Sequence, residues 1–358
     1  MVVTEHGVAR PLEKNVRQRA EELTSVEHPD LRGESRSGAQ KQFYTWLAGR
    51  LAGGDVANKA LVFSGNPLVR ADGPHGNAGV ITASEDDPRG RYLLLRDLEV
   101  LVTSEGETRL LWLSRTQISS DGGETILLGF EEGVPHLAIS SWSEDSAAAG
   151  VTGSPRATYM DARIVAPLLP EAEAAVVAQA RSMADWHQRT RFCARCGGGT
   201  TSVEGGGRRQ CDVCGERHYP RVDPSIIVLV EHDGQALLVG RNGGTEGRRS
   251  CVAGFVETGE SVEEAVVREV LEETGVAVGD VEYSYSQPWP FPAVLMLGCR
   301  ARARSTEIRV DGVEIGTAGW YTRMQVRAAL EGVSDELVVP PALAIAHHLM
   351  RDWALESE

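Results

Sequence analysis

Short apolar runs separated by glycine, asparagine and aspartate dominate the first half of the chain. Between about residues 41 and 141 they include "YLLLRDLEVLVTS", "TILLGF" and "HLAIS". Such runs with turn residues between them are typical of strands, so a β-rich domain is predicted. A helix is predicted at 171–188, where apolar positions recur near a 3.6-residue period. Residues 1–40 are polar without a sustained apolar period, which predicts a loose tail or a frayed helix.

The pattern changes in the second half of the chain. "PSIIVLVEHDGQALLVGR" predicts a hairpin that turns at Asp233-Gly234. A helix is predicted at 262–274, between a capping box formed by Ser261 and Glu264 and a C-terminal cap at Gly275. A strand at 293–299 and the C-terminal helix "PALAIAHHLMRDWALE" complete an α/β sandwich. The predicted fold class is α+β, with a β-rich N-terminal domain and an α/β/α C-terminal domain.

The predicted helix at 262–274 has an unusual charge distribution. Its apolar side, which is predicted to pack, carries Val266, Val267, Val270 and Leu271, and the other side carries Glu269, Glu272 and Glu273. Like charges four residues apart destabilise a helix by about 0.2–0.5 kcal/mol. A solvated acidic face is the ordinary explanation, although such faces usually include lysines. A divalent cation would turn the repulsion into coordination, because hard ions bind carboxylate oxygens.

Four cysteines lie between the two predicted domains. Cys193, Cys196, Cys211 and Cys214 have the spacing C-x₂-C-x₁₄-C-x₂-C, and a glycine follows each pair. Two such pairs supply the tetrahedral thiolate shell that zinc prefers, so a zinc ribbon is predicted. A closed shell has no open position for substrate, which makes this zinc structural. Cys251 and Cys299 are interpreted as small buried apolar residues.

Composition and charge narrow the class of protein. The chain has 358 residues and a net charge of −15, which disfavours nonspecific binding to long nucleic acids. The segment from Gln188 to Val222 is locally basic. This positive charge either helps to bind an anionic ligand or balances the negative charge of a metal–thiolate site. No signal peptide and no apolar run of 18 residues are found, so a cytoplasmic protein that does not span a membrane is expected.

Residues 254–276 fit the pattern G-x₅-E-x₇-R-E-U-x-E-E-x-G-U, where U is aliphatic. With every fixed position filled, the segment resembles the signature of the Nudix hydrolases, which cleave a nucleoside diphosphate linked to another group. The resemblance implies that Glu269, Glu272 and Glu273 are catalytic residues that bind Mg²⁺ or Mn²⁺. It adds the carbonyl of Ala253 and the carboxylate of Glu314 as ligands. It assigns structural roles in the signature to Gly254, Glu260, Arg268 and Gly275, with an ion pair between Arg268 and Glu260.

A second motif narrows the resemblance to one branch. "SQPWPFP", residues 286–292, follows the signature and lies behind the four cysteines, as in the NADH pyrophosphatases, also called NAD⁺ diphosphatases. "FSGNPLV" resembles part of that family's first domain. The family's segment usually ends in a serine where this chain has Val294. The substrate contacts that the resemblance implies are Tyr219, Phe255, Gln287, Pro288, Trp289, Pro290, Phe291, Pro292, Ala293, Val294 and Ala346.

The resemblance implies hydrolysis of NADH or NAD⁺ to nicotinamide mononucleotide and AMP, with one zinc per chain and a homodimer. Removal of NAD caps from RNA by cleavage of the same bond is the alternative within the enzyme class. A catalytically inactive NAD-sensing or nucleic-acid-binding protein with a zinc ribbon is the alternative outside it. The predicted boundaries are a tail at 1–40, the β-rich domain at 41–187, the zinc ribbon at 188–220 and the Nudix domain at 221–358.

Overall fold

The computed structural model describes residues 2–4, 7–9, 61–70, 84, 87–103, 106–118, 123–141 and 157–356. Near the start of the chain, β1 (Val2–Thr4) and β2 (Gly7–Ala9) pair in an antiparallel hairpin. This hairpin lies within residues 1–40, which the sequence predicts as a loose tail or a frayed helix. The rest of the predicted tail and residues 41–60 of the predicted β-rich domain lie outside the described residues.

The N-terminal domain is a six-stranded sheet covered by one long helix. Its strand order is β5-β4-β3-β7-β6, with β8 paired to β4, and β3 and β7 run parallel. The strands are β3 (Arg91–Arg96), β4 (Glu99–Thr103), β5 (Arg109–Leu110), β6 (Glu124–Glu131), β7 (Val134–Ser141) and β8 (Ala157–Met160). Helices α1 (Ala162–Val165) and α2 (Glu171–Arg189) follow. The alanine and valine side of α2 packs on the sheet, which confirms the helix predicted at 171–188.

The four-cysteine segment folds into a three-stranded antiparallel sheet. Its strands are β9 (Thr200–Val203), β10 (Arg208–Cys211) and β11 (Arg217–His218). The turn between β9 and β10 lies against the N-terminal sheet, where the N–H of Leu127 donates to the carbonyl of Gly205 at 2.7 Å. A side chain at Gly206 would come within 2.9 Å of the Thr125 carbonyl oxygen, so this contact requires glycine.

The C-terminal domain has a second six-stranded sheet with helices on both faces. Its strand order is β15-β16-β12-β13-β17, with β14 paired to β12. The elements are β12 (Asp223–His232), β13 (Gln235–Arg241), β14 (Val252–Phe255), α3 (Val262–Thr274), β15 (Val278–Trp289), β16 (Val294–Ala303), β17 (Ile315–Thr322), α4 (Arg323–Leu330) and α5 (Ile345–Leu355). β12 and β13 turn at Asp233 and Gly234, which both have positive φ, as predicted for the hairpin.

Successive side chains of β12 lie on opposite faces of the sheet and belong to two different hydrophobic cores. Ile226, Val228 and Val230 pack with α3, whereas Ile227 and Leu229 pack with α4 and α5. This period of two is what a strand buried on both faces requires. The predicted α/β/α sandwich is therefore confirmed. Within the described ranges, none of the helices combines the length and the apolarity needed to cross a membrane.

The packing side of α3 differs from the prediction. Val266 and Val270 are fully buried, but Val267 and Leu271 are 39% and 50% exposed. The buried stripe continues instead through Glu273, which is 5% exposed. At about 100° per residue, Glu273 lies about 20° from Val266 around the helix, whereas Val267 and Leu271 lie about 100° and 140° from it, so the buried stripe includes Glu273 and misses both apolar residues.

Candidate active site

Helix α3 begins and ends where its capping residues place it. Ser261 and Glu264 form a reciprocal capping box, with the Glu264 N–H at 3.2 Å from Ser261 Oγ and the Ser261 N–H at 2.7 Å from Glu264 Oε2. At the other end, Gly275 has φ 71° and its N–H donates to the Leu271 carbonyl. A left-handed residue of this kind favours glycine. The caps fix the ends of the helix that carries the acid cluster.

Arg268 connects α3 to the loop before it. Its guanidinium donates to both carboxylate oxygens of Glu260, at 2.6 and 2.9 Å, and to the carbonyl of Phe255 at 2.9 Å. Its other terminal nitrogen donates to Glu269 at 2.9 Å and to Glu272 at 3.2 Å. The bidentate bond lowers the pKa of Glu260 to about 2. The predicted ion pair is present, and it holds the loop against the helix.

Glu273 is the buried member of the acid cluster. Its Oε2 atom has no hydrogen-bond partner among the described residues. Burial, followed by the nearby charges of Glu269, Glu314 and Asp311, raises the pKa of Glu273 to about 7. A buried carboxylate oxygen without a partner costs about 1–3 kcal/mol or more. Such an atom is expected where a cation is to be bound.

Glu269 lies against the backbone of β14. A β-carbon added to Gly254 would lie 2.0 Å from the Glu269 carboxylate carbon, so only glycine leaves room for this side chain. Desolvation, opposed by Arg268, raises the pKa of Glu269. The hydroxyl of Ser225 in β12 donates to the Gly254 carbonyl at 2.9 Å and fixes the strand next to Ala253. Glu269 and the backbone at Ala253 and Gly254 therefore belong to one site.

Glu314 reaches the same site from the loop before β17. It is exposed, and its charge raises the pKa of both Glu269 and Glu273. Asp311 shapes this loop by accepting from the N–H groups of Val313, Glu314 and Ile315 at 2.9–3.2 Å. Sequence reasoning missed Asp311, although "DGVE" has the composition of an Asx-type turn.

These residues fit a divalent cation. The donors are hard carboxylate oxygens, one of them is buried without a partner among the described residues, and burial, followed by their mutual repulsion, raises the pKa of Glu273. In the described part of the chain, only the four cysteines place three or more ligand atoms within 4.8 Å of one another. The carboxylate oxygens of the acid cluster are therefore more widely spaced than the ligands of one closed metal shell. Glu272 and Glu314 are exposed, with 60% exposure for the side chain of Glu272. Glu269 and Glu273 are the less exposed members of the acid cluster.

Burial of Glu273 leads to a stability prediction. Its folded-state pKa of about 7 exceeds the ordinary value of 4.5, so the folded protein loses stability as pH rises from about 4.5 to 7. We expect Glu273→Gln to raise the free energy of unfolding at pH 8 by about 1–3 kcal/mol in buffer without divalent cations. The gain should vanish near pH 4. Urea denaturation at both pH values measures it, and an equal gain at both would contradict the assigned charge effect.

The proline-rich segment packs on the N-terminal domain. Trp289 and Phe291 form edge-to-face pairs with Phe63, with ring centroids 6.1 and 5.9 Å away. From α2, Arg181 Nη1 donates to the carbonyl of Pro290, and Ser182 Oγ lies 3.2 Å from the carbonyl of Pro292. Residues 288–293 are thus shaped by two domains. The sequence did not indicate these α2 contacts, because they join residues more than a hundred positions apart.

Three of the predicted substrate contacts lie deeper than expected. Gln287 is fully buried, and its amide bonds to the backbone of Val62, Leu343 and Ile345 at 2.8–2.9 Å. Its side chain therefore fixes chain segments together, which differs from the predicted substrate contact. Val294 is also buried, at 7% exposure, because β16 begins there and pairs with β12 and β15. Ala346 is buried in the first turn of α5, where N–H groups have no acceptor within the helix.

The two predicted aromatic contacts are on the surface. Tyr219 follows β11 and is 43% exposed, and Phe255 ends β14 and is 57% exposed. Large apolar side chains in such positions are available to a ligand or to a second chain. Their predicted role is compatible with their exposure.

The four cysteines form a second, separate centre. Sγ of Cys193 lies 3.7 Å from that of Cys214, and Sγ of Cys196 lies 3.5 Å from that of Cys211. A tetrahedral zinc shell with bonds of about 2.3 Å requires sulfur separations of about 3.8 Å, so the group fits this metal. N–H groups of Cys214 and Val213 lower the pKa of the Cys211 thiol to about 6, which favours the thiolate.

Comparisons with known proteins agree with this arrangement. Residues 220–340 match the model of the NUDIX domain, and residues 89–186 match that of the NADH pyrophosphatase-like rudimentary NUDIX domain. The chain is 38% identical over 335 residues to the NAD-capped RNA hydrolase NUDT12 of Homo sapiens, covering 81% of this chain and 72% of that protein.

Two further relatives carry the same kind of name. Identity to the NAD-capped RNA hydrolase NUDT12 of Macaca fascicularis is 50% over 196 residues, which cover 52% of this chain and 42% of the relative. Identity to the NAD-capped RNA hydrolase NudC of Mycobacterium bovis is 35% over 241 residues, which cover 64% of this chain and 75% of the relative. The match to the macaque protein thus spans less than half of that relative.

Proposed function

Because the chain belongs to the Nudix hydrolases of the NADH pyrophosphatase type, we propose that it hydrolyses the diphosphate of NADH and NAD⁺. The products are nicotinamide mononucleotide and AMP. The observation that carries the proposal is the buried Oε2 of Glu273, which lies near Glu269 and Glu314 and has no hydrogen-bond partner in the described part of the chain. Together with Glu272 and the carbonyl of Ala253, these residues are the proposed ligands of Mg²⁺ or Mn²⁺.

The reaction adds one water oxygen to a phosphorus atom and breaks one bond of the bridging oxygen. A bound divalent ion supplies neutralisation of the diphosphate charge and orientation of the water. Arg268 holds Glu269 in place through the bond to Glu260, and Gly254 leaves the space that Glu269 occupies. A bound divalent cation would lower the raised pKa of Glu273 and keep this side chain ionised as a ligand. The segment at 288–293 and the exposed Tyr219 and Phe255 are the proposed contacts of the dinucleotide.

Removal of NAD caps from RNA is the second candidate function. The names of the relatives support it, as do Arg191, Arg217 and Arg221, which are exposed on or beside the zinc ribbon. None of the three has a carboxylate partner in the described part of the chain. Arginines of this kind contact RNA phosphates. An inactive domain is the weaker alternative, since every fixed position of the Nudix signature is filled.

One experiment tests both activities. Purified protein is incubated with Mg²⁺ and NADH, NAD-capped RNA or triphosphate-capped RNA, and the products are separated by chromatography. We expect nicotinamide mononucleotide from the first two substrates and no cleavage of the third. Intact NADH and intact NAD-capped RNA after prolonged incubation would refute the proposal, and cleavage of the capped RNA alone would favour the second function.

The remaining assignments are proposals of the same kind. We propose one structural Zn²⁺ per chain at the four cysteines, a homodimer in which Tyr219 or Phe255 reaches the partner's site, and a cytoplasmic location. We also retain the division into a tail at 1–40, an N-terminal domain at 41–187, a ribbon at 188–220 and a Nudix domain at 221–358. Size-exclusion chromatography with light scattering tests the dimer.

Gly254→Ala should impair the site without altering any charged group. The added methyl group would overlap the Glu269 carboxylate at 2.0 Å, so this side chain has to move away from its position. We expect kcat to fall at least about tenfold, because misplacing a catalytic group is costly. The control is Gly199→Ala, which places a methyl group in the zinc ribbon at ordinary contact distance. Gly259→Ala does not serve as a control, because Gly259 has a positive φ that alanine disfavours. Unchanged turnover in Gly254→Ala would show that Glu269 is dispensable.

Arg181→Met tests whether the N-terminal domain shapes the substrate segment. The variant keeps an apolar side chain of similar length under Phe291 but removes the donor to the Pro290 carbonyl. We expect KM for NADH to rise about threefold to tenfold, since a charged hydrogen bond contributes about 1.5–3 kcal/mol and only part of it acts through positioning. Arg115→Gln, an exposed arginine of the same domain, is the control. Equal KM values in both variants would contradict the positioning role.

A further inference from the structure

The N-terminal domain contains a cavity that the proposed reaction does not use. It has a volume of about 420 Å³, within the range of small-molecule sites. Strands β3, β6 and β7 and the first turns of α2 line it. Glu173 in this lining and Arg181 at the proline-rich segment are eight residues apart on α2, or about 12 Å along the helix. The cavity is therefore a separate place from the candidate active site.

Two aromatic rings form a corner in the cavity wall. Trp112 and His136 lie with ring centroids 4.8 Å apart and planes at 89°. Trp112 is only partly buried, whereas Leu68 and Val176 add apolar surface to the lining. Flat apolar walls of this kind suit a planar ring, and stacking of a base on an aromatic side chain contributes about 1–3 kcal/mol. The corner thus selects for a planar aromatic group.

One end of the cavity offers two hydrogen-bond acceptors. His136 Nδ1 lies 3.1 Å from the Val134 carbonyl, which can only accept, so Nδ1 carries the proton and Nε2 is an acceptor in the neutral ring. Burial lowers the pKa of His136, which keeps the ring neutral near pH 7. Nε2 lies 3.7 Å from the Glu131 carboxylate, too far for a hydrogen bond. Two neighbouring acceptors require a ligand edge with two N–H donors, such as an exocyclic amino group.

The charges of the lining balance, with Arg91 and Arg109 against Glu131 and Glu173. Of the two arginines, Arg109 pairs with Glu173 at 2.7 Å, whereas Arg91 has no carboxylate partner among the described residues. The second oxygen of Glu173 accepts the N–H of Leu110 at 2.7 Å, so both oxygens of this carboxylate are bonded within the protein. The first turn of α2 carries Glu171 and Glu173, which disfavour an anion at that end of the helix. Arg91 is therefore the group of this lining that is suited to one phosphate.

We propose that this cavity binds one adenine nucleotide, with the base at Trp112 and its amino group between His136 and Glu131. The phosphate lies at Arg91. Adenine fits because its amino group supplies two donors on an otherwise planar ring. The nucleotide is either free AMP, which the proposed reaction releases, or an adenylate within an RNA chain. Both share the chemistry that the cavity recognises, and the site does not depend on the proposed reaction.

Calorimetric titration of the full-length protein tests this site. The ligands are AMP, IMP, which has a carbonyl oxygen in place of the amino group, and an adenylate trinucleotide with a 5′-hydroxyl. We expect AMP or the trinucleotide to bind wild type at least about tenfold more tightly than Arg91→Gln, since a charged hydrogen bond is lost. Arg115→Gln, an exposed arginine of the same domain that does not line the cavity, should bind like wild type. IMP should bind wild type about tenfold more weakly than AMP.

The outcomes separate this proposal from the proposed reaction. Tighter binding of AMP identifies a free nucleotide, and tighter binding of the trinucleotide identifies RNA. Equal affinities in Arg91→Gln and Arg115→Gln, or equal affinities for AMP and IMP, would overturn the proposal. Trp112→Leu supplies an independent second variant, with the same expected loss. NADH hydrolysis measured on the same samples should be unchanged in Arg91→Gln, so a failed reaction and an absent nucleotide site give different results.

Discussion

Glu273→Gln should reduce NADH hydrolysis by on the order of 10²-fold or more at saturating Mg²⁺. Metal ions supply several kcal/mol of transition-state stabilisation, and each 1.36 kcal/mol corresponds to a factor of ten in rate. Glu273 is the proposed ligand that the structure supports most directly, because its Oε2 is buried and has no hydrogen-bond partner among the described residues. Glutamine keeps the size of the side chain and removes its charge. The defect should therefore appear in kcat, with NADH consumption as the measurement.

Glu263→Gln is the matched control for this variant. Glu263 lies in the first turn of the same helix and is exposed, so its loss changes the net charge equally without touching the site. We expect its turnover to stay within twofold of wild type. Activity of Glu273→Gln within threefold of wild type would exclude Glu273 as a metal ligand. The same variant should be more stable than wild type without divalent cations, a combination that a simple folding defect cannot produce.

The local features of this site could be predicted from sequence because neighbours in the chain determine them. The capping box at Ser261 and Glu264, the left-handed Gly275 and the pair of Arg268 with Glu260 all lie within a short stretch. The reason for Gly254 could not be predicted, since the Glu269 carboxylate comes within 2.0 Å of an added β-carbon only in the folded domain. Residue spacing predicts which side of a helix each residue lies on. Close contacts between two elements depend on how those elements pack in the folded domain.

Helix geometry, more than the hydrophobicity of single residues, decides which side of α3 packs. The sequence places Val267 and Leu271 on the packed side with the other apolar residues, and Glu273 on the outer side with the other glutamates. The structure buries Glu273 and exposes both apolar residues. A charged residue in a buried stripe costs free energy that only a binding function offsets, so the misassigned residue is the most informative one in the helix.

The proline-rich segment was predicted as a substrate contact from its motif alone. Its anchoring by Phe63, Arg181 and Ser182 could not be predicted, because those residues come from a domain far away in the chain. Gln287 shows the same limitation, since its three backbone partners lie in separate segments. These contacts imply that the N-terminal domain helps to shape the proposed substrate site.

Cys211→Ser should abolish zinc binding and prevent the ribbon from folding. Each Sγ atom lies within 4.8 Å of the other three, so removal of one thiolate opens the shell. Structural zinc sites contribute apparent binding free energies of about 10–16 kcal/mol in small domains, and the ribbon has few buried apolar side chains to replace this contribution. We expect one zinc per chain in wild type and none in the variant, by elemental analysis of purified protein.

Loss of the ribbon should spread to the N-terminal domain. The turn at Gly205 bonds to β6, and Arg209 Nη1 lies 3.1 Å from Glu124 and 3.0 Å from Nδ1 of the buried His187. Arg209 can only donate, so His187 accepts at Nδ1 and donates from Nε2 to the Gly206 carbonyl. If the ribbon unfolds, Glu124 and His187 lose these partners while they remain largely buried. We therefore expect a lower thermal midpoint for the whole protein, with aggregation, in addition to lower activity.

Cys251→Ala provides the control, since Cys251 is buried in the C-terminal core and belongs to no metal group. It should retain one zinc per chain and a cooperative unfolding transition close to that of wild type. The two cysteine variants thus separate loss of a metal ligand from loss of a thiol in general. A Cys211→Ser protein that is free of zinc, folds cooperatively and hydrolyses NADH at the wild-type rate would show that the ribbon does not depend on metal. The buried bonds of Arg209 would then have to hold it in place.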